Sequence, residues 1–175
     1  MKTANPNAST PFAGLLPETV LSAIESLGFV TDGRLLALNS YENRVWQVGL
    51  EQGEPLIAKF YRPGRWSDEA ILEEHRFALE LVEHELPVVP PMVLSDTTLH
   101  HHQGQRFALF KRFGGHAPEL ADQETLKILG RLMGRIHAIG ATSDFVHRPT
   151  VDPKTMGRDS VRFLLNHQWI PMHLE

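Results

Sequence analysis

The chain has no cysteine among its 175 residues. That excludes a disulfide framework, a thiolate metal site and a thiol nucleophile, and it points to an intracellular, cytoplasmic setting. It also lacks any run of roughly 18 apolar residues, so a membrane span is not expected. The opening string, MKTANPNASTPFAG, has no apolar centre of the kind a secretory leader needs. Positive charge is not in excess either: 17 Lys and Arg face 21 Asp and Glu, for a net charge of −4. Duplex nucleic acid is therefore an unsuitable partner, because its phosphates are bound chiefly by Lys and Arg. No HExxH, GxxxxGK[ST] or GxSxG string occurs, which removes zincin, P-loop and hydrolase-elbow chemistry. Repeats, heptads and low-complexity blocks are missing as well.

What is there is an ordinary globular composition, 42% hydrophobic and 22% charged. A chain of this length hides roughly 70% of its unfolded surface, enough for a core without disulfide or metal staples. Residues 1–14 are small, polar and dotted with proline, and read as a flexible tail. From Pro17 a short amphipathic helix is expected, with Val20, Leu21, Ile24 and Leu27 on its apolar face and Gly28 just past its end. Strand-like runs follow at 35–39, 44–50 and 55–62, the last two joined by a turn at Gly53. Ser67 and Asp68 open a helix that runs to about Glu85. TTLHHH and RFALFKRF flank Gly104 as a second hairpin, and the proline-rich LPVVPP connects it to the helix. This order gives an α+β fold, an antiparallel sheet carrying one helix. Past Gly114 and Gly115, a hinge-like pair, the pattern turns all helical. Leu126, Leu129, Met133, Ile136 and Gly140 mark one helix face over 122–140, and a further helix covers 158–166.

Lys59 is the most informative residue. In IAKFYRP, alternation puts Leu56, Ala58 and Phe60 on one face and Ile57, Lys59 and Tyr61 on the other, so the strand is apolar on both sides. A lysine so placed needs a partner, and a carboxylate is the expected one. Helical spacing chooses between two glutamates: Glu74 has Ala70, Ile71, Phe77, Ala78 and Leu81 around it, whereas Glu73 has Glu69, Arg76 and Glu80 among its neighbours. Glu74 is thus placed on the apolar face. A strand lysine answered by a helix glutamate resembles the ion pair with which kinases hold an ammonium against ATP phosphates.

Other segments carry weaker signals. NSYEN at 39–43 joins two strands without a glycine, so Ser40 and Asn43 would supply a hydroxyl and an amide where a glycine-rich loop supplies backbone amides. Alone, such residues are turn chemistry. Phe110 and Phe113, in RFALFKRFGG, would bracket a purine. His100, His101 and His102 are consecutive and alternate faces in a strand, so they do not converge on one metal ion and are expected on an exposed hairpin flank. His137 and His147 have no partner at ligand spacing.

Taken in order, LNSYENRVWQV, AKFYRPGRW, ILEEHRFALELVEHELPV and FVHRPT resemble the N-terminal half of the stress response kinase A family of bacterial serine/threonine protein kinases. The resemblance implies a protein-kinase-like N-lobe over 15–113, then a hinge and the first helices of a helical C-lobe over 114–175. It further implies ATP and Mg2+ as cofactors, a protein substrate with a Ser or Thr hydroxyl, and an ATP site made by Ser40, Asn43, Lys59, Glu74, Arg112 and Phe113. That family continues into an HGDxHxxN catalytic loop and a metal-binding Asp, neither of which is in this chain; Asp144, Asp152 and Asp159 stand in no such context. The expectation is a truncated kinase, inactive alone and prone to self-associate through its incomplete C-lobe. A small-molecule kinase fragment, for an aminoglycoside, choline or homoserine-like alcohol, and a catalytically dead protein-binding module are the alternatives.

Overall fold

Apolar residues on both sides of 55–62 call for a strand covered on both faces, and the computed structural model places Leu56–Phe60 at the centre of a five-stranded sheet. It describes residues 11–115, 117–167 and 169–170. In chain order the elements are α1 (Pro17–Glu25), β1 (Thr31–Leu38), β2 (Arg44–Leu50), β3 (Leu56–Phe60), α2 (Asp68–Glu83), β4 (His100–His102), β5 (Gln105–Lys111), α3 (Gln123–Gly140) and α4 (Asp159–Asn166). The sheet is antiparallel throughout, in the order β1-β2-β3-β5-β4. The β2–β3 and β4–β5 hairpins turn where glycine takes a positive φ, at Gly53 (91°) and at Gly104 (75°), where Gln103 is also left-handed.

Each face of β3 meets its own helix. Leu56, Ala58 and Phe60 join Val20, Ala23 and Ile24 of α1 in the larger core, with Phe60 stacked on Phe107 at 5.3 Å between centroids. On the opposite face Tyr61 and Ala108 pack with Ile71 of α2 and Leu99. The central register pairs Lys59 with Val45 on one side and Ala108 on the other, so small and apolar neighbours flank the lysine stem. Helix α2 starts where the sequence says it should, with the Ser67 side chain accepting from the Ala70 amide at 3.2 Å.

Several expectations are corrected. Residues 1–10 of the expected tail lie outside the described residues, but 11–14 form a turn whose Phe12 packs on the larger core beneath the Arg44 guanidinium. Strand β1 begins at Thr31 rather than 35, its register shifting between Thr31 and Leu35 where Gly33 has a φ of 80°. His100 is buried, not exposed: alternation turns His100 towards the Phe107 ring and His102 onto Ser22 of α1 at 2.8 Å, while only His101 faces outward, to Asp68 at 3.0 Å. On α3 the half-buried stripe is Leu129, Leu132, Ile136 and Ile139, while Leu126 and Met133 are exposed. The helix is apolar around more than one stripe, so spacing alone left its rotation ambiguous.

Contacts gather the chain into two units, 1–144 and 145–175. Helix α3 belongs with the sheet because it leans on α2: Arg135 donates to the His84 carbonyl at 2.7 Å, and Gly140 lies against the Phe77 ring. Gly114 and Gly115 lie in the irregular chain between β5 and α3. The second unit is a π-helical turn, Lys154–Arg158, running into α4. Asp152 starts that turn by accepting from the Lys154 and Thr155 amides at 2.7 and 2.9 Å, and the Thr155 contact is the main cause holding its carboxyl below the usual range.

Candidate functional site

The α2 side of the sheet opens into a cleft of about 430 Å3. Its apolar lining comes from Val45 of β2, Ile57 of β3, Phe110 of β5 and Ala78 of α2, closed by Val89 and Pro91 of the connector. The connector is held there by the sheet itself, since the Met92 amide donates to the Leu109 carbonyl at 2.7 Å. Lys59, Glu74 and His75 supply the polar part of the lining, and Lys111 and Phe113 complete it.

Lys59 Nζ stands 3.0 Å from Glu74 Oε1. The strand supplies the cation and the second turn of α2 the anion, so the pair ties sheet to helix. The lysine side chain is 23% exposed and the glutamate 41%. This is a cleft-wall pair open to a ligand, not a sealed core pair. Helical spacing picked the right partner for an incomplete reason: Glu73, not Glu74, is the buried glutamate, at 6%. Glu74 sits on the cleft-facing flank of α2.

His75 is the residue that sequence reasoning missed. It is 2% exposed, its Nε2 lies 2.6 Å from the Tyr61 hydroxyl and its Nδ1 2.8 Å from Thr98 Oγ1. Burial first, and the nearby Lys59 charge second, lower its pKa from 6.5 to about 4, so at neutral pH it is uncharged. The available signal was a histidine one turn beyond Ile71 inside an apolar helix stripe. Lys59 Nζ also lies 4.8 Å from the Tyr61 ring centroid.

Ser40 and Asn43 are not among the cleft-lining residues. Ser40 donates to the Asn43 carbonyl at 2.9 Å, and Asn43 Oδ1 accepts the Arg62 amide at 3.2 Å. The loop 39–43 is thus fixed by side chains in place of glycine geometry. Glu42, unremarked in the sequence, fastens it further by accepting from Arg65 Nε at 3.0 Å and Trp66 Nε1 at 2.9 Å. Burial pushes that carboxyl's pKa up, but these two hydrogen bonds prevail and hold it below its ordinary value. Tyr41, at the loop's tip, is fully exposed. Arg112 also lies outside the cleft lining and reaches Gln47 Oε1 at 3.0 Å. So the structure gathers Lys59, Glu74, Phe110 and Phe113 at one cleft, and leaves Ser40, Asn43 and Arg112 off its walls.

An antiparallel five-stranded sheet whose central lysine is bound by a glutamate of the following helix defines a kinase-like lobe. Residues 34–168 match the model of the phosphotransferase enzyme family, and the chain belongs to that family. It is a homologue of stress response kinase A from Shigella flexneri, 43% identical over 83% of this chain and 44% of that protein. Serine/threonine protein kinase RdoA from Salmonella typhimurium is 44% identical over 84% of this chain and 44% of its own length. The chain therefore spans less than half the length of these relatives. Among solved structures it resembles amicoumacin kinase hAmiN in complex with AMP-PNP, Ca2+ and Ami, with a TM-score of 0.61 over 73% of this chain and 41% of that one. At 20% identity that likeness is one of fold.

Among the described residues no cluster of His, Asp and Glu forms a metal-ligand set. The carboxylate at the cleft, Glu74, is engaged by Lys59, and one carboxylate already paired is a donor set that does not suit Mg2+. No described helix is long and apolar enough to cross a membrane.

Proposed function

We propose that this chain forms the nucleotide-binding part of an ATP-dependent phosphotransferase, a serine/threonine protein kinase of the stress-response type acting in the cytoplasm. The observation that carries this is the Lys59–Glu74 pair at 3.0 Å on the wall of an apolar cleft. Lys59 would meet the phosphates as a point charge, and Glu74 would hold the ammonium in place before the ligand arrives. Val45, Ile57 and Phe110 give the flat apolar surfaces that a purine needs, with Phe113 on the exit side of β5. Ser40 and Asn43 would face the phosphates from the fastened loop, and Arg112 would stand beside the purine end. The name of the Salmonella relative, serine/threonine protein kinase RdoA, supports a protein Ser/Thr hydroxyl as acceptor. No HGDxHxxN string lies within these 175 residues, so the chain by itself is expected to bind nucleotide without transferring phosphate.

Thermal unfolding with and without ATP tests the proposal. The wild-type chain should be stabilised by ATP through mass action. Lys59→Ala should weaken ATP binding by about ten- to hundredfold, the value of one charge-assisted contact to phosphate. Absence of any ATP effect on the wild-type chain would defeat the nucleotide proposal. An intact partner-binding activity that Lys59→Ala leaves untouched would favour a binding module instead.

A further inference from the structure

A screened ion pair is a weak clamp for a side chain as flexible as lysine. Glu74 is 41% exposed at its side chain, and water screens a pair that open. The ammonium nevertheless has a rigid surface beneath it. Tyr61, the residue after β3, is 2% exposed, with its amide donating to the Arg106 carbonyl at 2.9 Å and its ring packed among Ile71, Leu99 and Ala108. Its hydroxyl is fixed by His75 at 2.6 Å, and His75 in turn by Thr98 at 2.8 Å, with Thr98 itself buried. Lys59 Nζ lies over that ring, 4.8 Å from its centroid, inside the range where a cation is drawn to an aromatic face.

We propose that Tyr61, locked by a buried hydrogen-bonded chain through His75 to Thr98, is a second positioning residue for the Lys59 ammonium and keeps that cation directed at a phosphate-bearing ligand when water or ligand competes for Glu74. The chain is closed at each link: the phenol needs a partner once buried, the neutral imidazole serves both neighbours, and the threonine hydroxyl ends the series inside the protein. A cationic imidazole there would place a second positive charge near Lys59, and burial keeps His75 neutral. The contact rests on geometry alone; its consequence for ligand binding rests on the nucleotide function proposed for the cleft.

The test uses the full chain, with the Lys59 side-chain NMR resonances as one readout and ATP affinity as the other. Lys59 ε-protons in the wild type should show the upfield ring-current shift of a group held over an aromatic face, with or without nucleotide. Tyr61→Leu should abolish that shift and weaken ATP binding by about three- to thirtyfold, the worth of one cation–π contact. Tyr61→Phe keeps the ring but frees it from His75, and should reduce both effects partially; the single variant His75→Gln, still able to hydrogen-bond the phenol, should retain most of them. Placed in a Lys59→Met background, Tyr61→Leu should cause no further loss of affinity, which a merely structural tyrosine would not satisfy. A Lys59 signal without the shift in the wild type overturns the proposal whether or not ATP binds, as does a shift lost with affinity unchanged. A wild-type chain that shows the shift yet binds no ATP keeps the positioning contact and overturns the nucleotide function.

Discussion

At residue scale the cleft depends on charges kept in unequal surroundings. Lys59 stays beside a carboxylate at its rim, whereas His75, one residue along α2 from Glu74, is sealed and neutral. A folded-state pKa of about 4 against the ordinary 6.5 means the native protein refuses a proton that the unfolded chain accepts. The stability linked to His75 is therefore whole above pH 6.5 and drains away as the pH falls towards 4. Its size is at most about 3 kcal/mol, from the shift times 1.36 kcal/mol per unit. His100, lowered first by burial and then by His101, has the same sign, while Asp68, lowered chiefly by Arg106, loses its contribution only as its carboxylate protonates. Urea unfolding across this window should show stability declining with acid, and His75→Gln should flatten a large part of that decline. A His75→Gln profile parallel to the wild type would mean that the imidazole is protonated in the folded state too.

At the scale of elements, α2 carries the anion of the site and is started by one hydroxyl. Ser67 Oγ accepts the Ala70 amide, one of the donors that the first turn leaves without a helical partner. Ser67→Ala should cost about 1 kcal/mol of global stability by urea unfolding. Ser67→Asp should recover it, since a carboxylate also suits the positive end of the helix. A variant as stable as the wild type would show that Arg106, which holds the same segment through the Trp66 carbonyl and Asp68, is the true fastener. The period-2 alternation of β3 was legible because every position from 56 to 60 is at least half-buried, so the two faces show in the letters. The Lys59–Glu74 pairing was legible for the same reason, a charge where apolar neighbours allow none alone. His75, His100 and Glu42 were not, because their partners Tyr61, Phe107 and Trp66 are joined by tertiary contact rather than by spacing. Gly53 and Gly104 announced their turns; the loop at 39–43, fastened by the Arg62 amide and the Arg65 and Trp66 side chains, had no such marker.

Over the whole molecule, apolar surface is divided unevenly. The sheet unit buries Phe60, Phe107, Ile24 and Ile71 completely between its two layers. The described helices after β5 bury nothing fully: neither α3 nor α4 contains a buried residue, although both are amphipathic. On α3, Leu126 and Met133 lie two turns apart on one exposed stripe, and on α4 Val161, Phe163 and Leu165 are exposed as well. A net charge of −4 offers little repulsion between copies. Apolar faces of this kind favour association in proportion to the area they withdraw from water. Sedimentation velocity at increasing protein concentration should therefore show a rising weight-average mass. Leu126→Lys combined with Met133→Lys should lower it, without changing ATP affinity, because neither residue lines the cleft. A single monomeric boundary at every concentration would show that these stripes are too small or too dispersed to hold a second copy. Association that persists in the double lysine variant would assign the contact to α4 instead, where Val161, Phe163 and Leu165 are exposed.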